Sequence, residues 1–383
     1  MNRRDYLTLG LALLSGACTR TKRTGYSGYA LIATSGENSL AVVDLTNFRL
    51  LKSIALGAPP TAVIPADTSG SSYVLTPSSD SVHVIDRNLS LTSSHRLGEG
   101  IAEIRLFPKP STLLAIARQS RELIHADAST LRVLRRTKLA AEPVSFDTSE
   151  KTGWAAISTG SSGMVELVHL MSGKHLKIEI GGLVGAVRFR GDGEMLLAAR
   201  PDEQSIVGID VASQQIVAEL PLAMRPDNLC FNSDQGQLFV TGRGMDAVAI
   251  VFPYNTMEVE QTVLAGRNPG IMAASAQPAE YLFVANANGS DVSILNLDTR
   301  KLVGVVGVGG QSDFIAITPD NRFALILNKS SGAMAVIDIP AIRANRVKPG
   351  ATLPDWVWRS VGLFTLVDVG AGPVHVAIVP RIS

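Results

Sequence analysis

The apolar positions of this chain fall into short runs that end at Gly, Asn or Asp, the pattern of short strands joined by turns. The segment 281–310, "YLFVANANGSDVSILNLDTRKLVGVVGVGG", holds three such runs. Runs comparable to its first begin near Tyr29, Tyr73, Leu113, Trp154, Met195, Leu238, Tyr281 and Phe323, at spacings of 44, 40, 41, 41, 43, 43 and 42 residues. Each is followed by a second run such as "LAVVDL" or "VSILNL", and then by a third such as "IVAELPLA". After a Gly/Pro turn comes a fourth, such as "PTAVIPA", "PDNLCFN" or "DFIAITPD". Four short strands in a unit of about 42 residues is the pattern of a β-propeller blade, and a plain stack of hairpins does not explain a constant period. The chain is therefore expected to be all-β, an eight-bladed propeller of four-stranded antiparallel blades. Seven blades is the alternative if one weak unit is not a blade. The final strand, "PVHVAIVP", stands alone at 373–380 while the first unit lacks its leading strand. The two are expected to pair and shut the ring, removing a free sheet edge.

In such a ring the strand after the Gly/Pro turn lies innermost, so residues entering it surround one mouth of the central channel. Aligning the eight turns puts Ala62, Glu103, Ser145, Ala186, Asn228, Ile271, Phe314 and His375 at one level, with Asp227 and Asp313 one residue earlier. Five polar groups then converge on the mouth: Glu103, Asp227, Asn228, Asp313 and His375. Convergent polar groups in a concavity are the default binding-site hypothesis; the plainer alternative is a solvated rim. His83, His125 and His169 lie in second-run strands and read as packing or surface residues.

One connection breaks the pattern. Between "MAVIDIP" and "LFTLVDVG" runs an insertion over 340–360, about 20 residues where other units use about five. Long loops in compact domains are functional or disordered. This one carries Arg343, Arg346 and Arg359 beside Trp356 and Trp358, a combination suited to a bilayer interface or a docked partner. By strand parity it sits on the face opposite the mouth, next to the N-terminus. A lid packed over that end of the channel fits equally well.

The N-terminus, "MNRRDYLTLGLALLSGACTRTKR", has a charged start, an apolar run too short to span a bilayer, and small residues before Cys18. It reads as an export signal over 1–18, followed by a polar tether at 19–27 and a single propeller domain over 28–383. The rest of the composition is bland. Charged residues make up only 18% and the net charge is +1, which gives no signature for nucleic acid or another polyanion. Cys230, in the apolar run "NLCFN", reads as a buried free thiol. HExxH, CxxCH, P-loop and GxSxG patterns are absent.

The repeats resemble the YVTN-type repeat of bacterial cell-envelope propellers, through "YLFVANANGSDVSILNLDT" with "ITPDNR" and "LAVVDLTN" with "LGAPP". "LLSGAC" resembles the lipoprotein box, with Ser15 where Leu is usual, which implies lipidation of Cys18. "RRDYL" resembles the twin-arginine export signal at Arg3 and Arg4. Together these resemblances imply a monomeric lipoprotein anchored to a bacterial membrane and facing periplasm or cell exterior. It would act as a non-enzymatic scaffold that binds a small ligand or envelope partner at the mouth. The same superfamily holds lactone hydrolases, quinoproteins and haem-binding domains of the cytochrome cd type. The alternatives are thus a metal-assisted lactone hydrolase using Glu103, Asp227 and Asp313, or a haem carrier ligated by His375. The scaffold needs no cofactor; the alternatives need a metal or haem.

Overall fold

The computed structural model of the protein describes residues 25–65, 70–254, 256–344 and 362–381. Arg3, Arg4, Cys18, Arg346, Trp356, Trp358 and Arg359 lie outside the described residues. The described strands form eight separate four-stranded sheets, each antiparallel and ordered from an inner to an outer strand. The inner strands are Pro373–Pro380 in blade one, Ala62–Pro65 in two, Ile101–Pro108 in three and Ser145–Ser149 in four. Val187–Phe189, Asn228–Phe231, Pro269–Ala274 and Ser312–Ile317 follow in blades five to eight.

Neighbouring blades bury their faces against each other, and so the middle strands carry nearly unbroken apolar sequence. Phe323–Asn328, "FALILN", is buried at all six positions. The outer strand of blade one, Arg49–Ala55, is exposed at all but one. Eight apolar clusters result, and each is shared by two adjacent blades. The cluster joining blades eight and one contains Phe323, Leu325, Ala30, Ile32 and Val376. Eight interfaces for eight blades means the ring is complete, and the seven-bladed alternative falls away. Closure is by the expected strand: Pro373–Pro380 pairs antiparallel with Gly28–Thr34, Ala377 opposite Leu31 and His375 opposite Ala33. Residues from the two ends of the described chain thus make one blade.

In blade eight the third strand, Ala333–Asp338, leads into a short helix, Ile339–Ala344, which contains the backbone of Arg343. The Asp338 N–H donates to the Gly362 carbonyl at 2.8 Å, drawing the two ends of the insertion together. His83 and His125 are buried in their blades, and His169 packs edge-on against Trp154. All three therefore serve packing.

Candidate functional site: the central channel

Each inner strand carries a buried position next to the mouth level, flanked by partly exposed ones except at Ala377, which is itself buried. The position after the mouth level is large, apolar and buried in every blade: Val376, Val63, Ile104, Phe146, Val187, Leu229, Met272 and Ile315. These side chains wedge the ring together from within. The positions on either side of them are mostly half-exposed, and the channel is the open space they face.

The mouth level aligns as expected. Ala62, Glu103, Ser145, Asn228, Phe314 and His375 pair with equivalent residues of their second strands, Leu75, Ile116, Ser158, Thr241, Leu327 and Ala33. The five polar groups at the mouth are nevertheless not equally available. Asp227 is clasped by its own blade: Arg243 gives it a backbone N–H at 3.0 Å and guanidinium bonds at 3.1 and 3.3 Å. Burial works against that carboxylate, yet the Arg243 bonds and the charges of Arg243 and Arg225 outweigh it and hold its pKa below the usual value. Glu103 is held by Arg105 at 3.1 Å. Asn228 and Asp313 are half-buried and make no side-chain hydrogen bond or ion pair among the described residues. His375 stacks on Phe314, with ring centroids 4.1 Å apart.

The stronger constellation lies two residues deeper. That ring consists of Ala377, Ile64, Arg105, Asp147, Arg188, Cys230, Ala273 and Ala316. Its polar members come from four consecutive blades, three to six, and the opposite wall is three alanines and an isoleucine. Arg105 bridges Glu103 in its own strand and Asp147 of the next blade, the latter at 3.0 Å. Burial and the nearby Arg105 lower the pKa of Arg188, although Asp147 and Glu103 pull the other way.

These side chains meet a need created by the topology. An inner strand is a sheet edge, and every second N–H points into the channel without a ladder partner. Side chains from the preceding blade supply acceptors. Asp147 Oδ2 takes the Phe189 N–H at 2.9 Å, and His375 Nδ1 takes the Val63 N–H at 3.4 Å. The Ala274 N–H is directed at the Cys230 sulfur in the same way.

A cavity of about 420 Å³ opens at the channel end opposite the mouth. Asp147, Arg188, Phe189, Arg190, Phe231 and Gln235 line it, with Glu150 and Lys151 exposed at its rim. The site therefore extends beyond the expected mouth, and Arg105, Asp147, Arg188 and Phe231 are additions that aligning the turns did not reach.

The chemistry of these groups favours holding over reacting. Burial pushes the Cys230 thiol up to about 11, so it is protonated and a poor nucleophile even though one side of it opens to the channel. Burial, and the Arg105 charge after it, hold His375 down to about 4, so the ring is neutral. Since Nδ1 accepts the Val63 N–H, the ring proton sits on Nε2, which is then a donor and not a metal ligand. Haem ligation by His375 does not fit this arrangement. The carboxylate set expected of a metal-assisted hydrolase fails as well. Among the described residues no three His, Cys, Asp or Glu side chains gather as a metal site, and Glu103 and Asp227 are each engaged by an arginine.

No family model matches the chain, and no curated protein does. Solved structures do. A dihydro-haem d1 dehydrogenase, NirN, in complex with DHE superposes with a TM-score of 0.76 at 13% identity, covering 92% of this chain and 75% of that one. Apo AztD from Citrobacter koseri gives 0.61 at 12% identity, covering 92% and 97%. The hydrazine synthase of Kuenenia stuttgartiensis gives 0.54 at 16% identity, covering 84% and 90%. At such identities the likeness is one of fold. The chain is an eight-bladed β-propeller.

Proposed function

We propose that the protein is a ligand-binding propeller of the bacterial cell envelope, lipid-anchored through Cys18 and non-enzymatic, with its ligand held in the central channel. The observation that carries this is the asymmetric ring of Arg105, Asp147, Arg188 and Cys230 facing an alanine wall, open to a cavity of the size small-molecule sites have. A protonated thiol, a neutral histidine and an acid engaged by arginine leave no activated nucleophile beside a free base, which supports binding over catalysis. The propeller whose name cites dihydro-haem d1 was solved in complex with DHE, which supports use of this ring shape for binding. The lipoprotein-like and twin-arginine-like residues of the first 18 positions support the envelope placement.

Native mass spectrometry of protein recovered from the membrane fraction of an expressing bacterium tests the reading. The expected spectrum carries the lipidated chain plus one additional small mass that is lost on denaturation. A chain that leaves the membrane with no added mass, and that converts a substrate when presented with one, would overturn it.

A further inference from the structure

The hand-off of acceptors around the channel breaks at one place. In blades four and five, Asp147 fills the gap between the Arg105 guanidinium and the inward-pointing Phe189 N–H, accepting from both at 3.0 and 2.9 Å. The repeat puts Arg188 at the place equivalent to Asp147, one blade further on. The equivalent edge amide is that of Phe231. Asn232 donates its N–H to the Gln237 carbonyl at 3.1 Å, so by ladder alternation the Phe231 N–H turns away from its own sheet. Arginine has only donors and cannot cap that amide. One Arg188 donor, Nη1, bonds the Val187 carbonyl at 2.8 Å, and no carboxylate among the described residues lies within ion-pairing distance of this guanidinium. The neighbouring charges are engaged. Asp147 spends both oxygens on Arg105 and Phe189. Arg190 is paired with Asp192 at 2.6 Å and donates to the Pro253 carbonyl at 2.9 Å.

The half-buried Arg188 guanidinium makes no direct ion pair among the described residues and feels Asp147 and Glu103 only at longer range, so an acceptor in the cavity would stabilise it. Arg188 and Phe231, the residue that carries this amide, both line the 420 Å³ cavity, and Phe231 is half-exposed there. We infer that the channel takes an anionic small molecule whose carboxylate sits between Arg188 and the Phe231 N–H, the place Asp147 occupies one blade earlier, with an apolar or aromatic body against Phe231. Planar, two-pronged recognition is what a guanidinium offers a carboxylate. This rests on the channel being the ligand site, and it names the class of ligand.

Benzoate and its uncharged isostere benzamide are suitable probes, titrated at constant ionic strength into the mature wild-type chain, Arg188→Gln and Arg188→Lys. Calorimetry and the thermal midpoint report binding. Benzoate is expected to bind wild type and raise its midpoint, and benzamide to bind at least tenfold more weakly. Arg188→Gln should remove the preference for the anion, and Arg188→Lys should retain part of it. Equal binding of both probes to wild type, or none of either, overturns the inference even if a variant fails to fold. So does undiminished benzoate binding by Arg188→Gln. A neutral molecule co-purifying in the channel would leave the ligand-binding function standing while removing the anion.

Discussion

Arg105 is the residue on which the charge balance of the channel turns, because it bridges Glu103 and Asp147, with Arg188 the second cation near them. Replacing it with Leu leaves two partly buried carboxylates facing each other. Unfolding free energy should fall by about 1–3 kcal/mol, between the values for broken exposed and buried pairs. Urea denaturation measures it, and a loss under about 0.5 kcal/mol would mean that channel water screens the pair. His375 and His125 give the protein a pH dependence. Burial, with Arg105 and Arg135 respectively as the second cause, holds each down to about 4 from the ordinary 6.5. Between those values the unfolded chain binds protons that the folded one refuses. Stability is thus fully present above pH 6.5 and lost as pH falls toward 4, at about 1.4 kcal/mol per pH unit for each histidine. Denaturation at pH 5 and pH 7 should differ accordingly, with His375→Gln removing its share; equal stability at both would contradict the burial of these rings. Of the residues named from sequence, Glu103 and His375 reach the channel. Asp227 does not serve it, since its tie to Arg243 depends on a loop bend that turn alignment does not encode. The deeper set was within reach of the sequence. Arg105 and Asp147 are spaced by 42 residues and Arg188 follows 41 later, the repeat length to within a residue, so all three stand in the aligned column two positions past the mouth; Phe189 lies one position beyond it.

The strand was the most legible unit, because its signal is local. A run such as "FALILN" must be buried on both faces, and only a sheet between two others provides that. Ring closure was legible for a related reason: a lone terminal strand and a blade lacking one complete each other. Deleting residues from Pro373 onward strips Val376 and Ala377 from their clusters and exposes the edge of Gly28–Thr34. The shortened chain should yield no soluble monomer by size-exclusion chromatography, since an open apolar edge invites pairing with other chains. A monodisperse truncated protein would mean that the ring does not depend on this strand. What local signals could not give is the inward N–H edge. Which side chain caps it depends on the stagger between blades, a property of the assembled ring rather than of any one strand.

At the scale of the molecule, eight like units produce a channel whose two halves are unlike, charged on blades three to five with the Cys230 thiol on blade six, and lined opposite by three alanines and an isoleucine. That asymmetry is invisible in the repeat consensus, which averages it away, and it arises from substitutions at one column. The proposed envelope placement belongs to this scale too. Cys18→Ser should move the protein from the membrane pellet to the soluble fraction after cell lysis, and retention in the pellet would remove the lipid anchor from the account. Occupancy of the channel is the central claim, and the most direct measurement of it is a crystal structure of protein purified from the envelope, or soaked with benzoate. Density within the cavity against Arg188 and the Phe231 amide is the expected result. A bound molecule elsewhere on the ring, or Arg188 paired to a carboxylate of the chain itself, would contradict it.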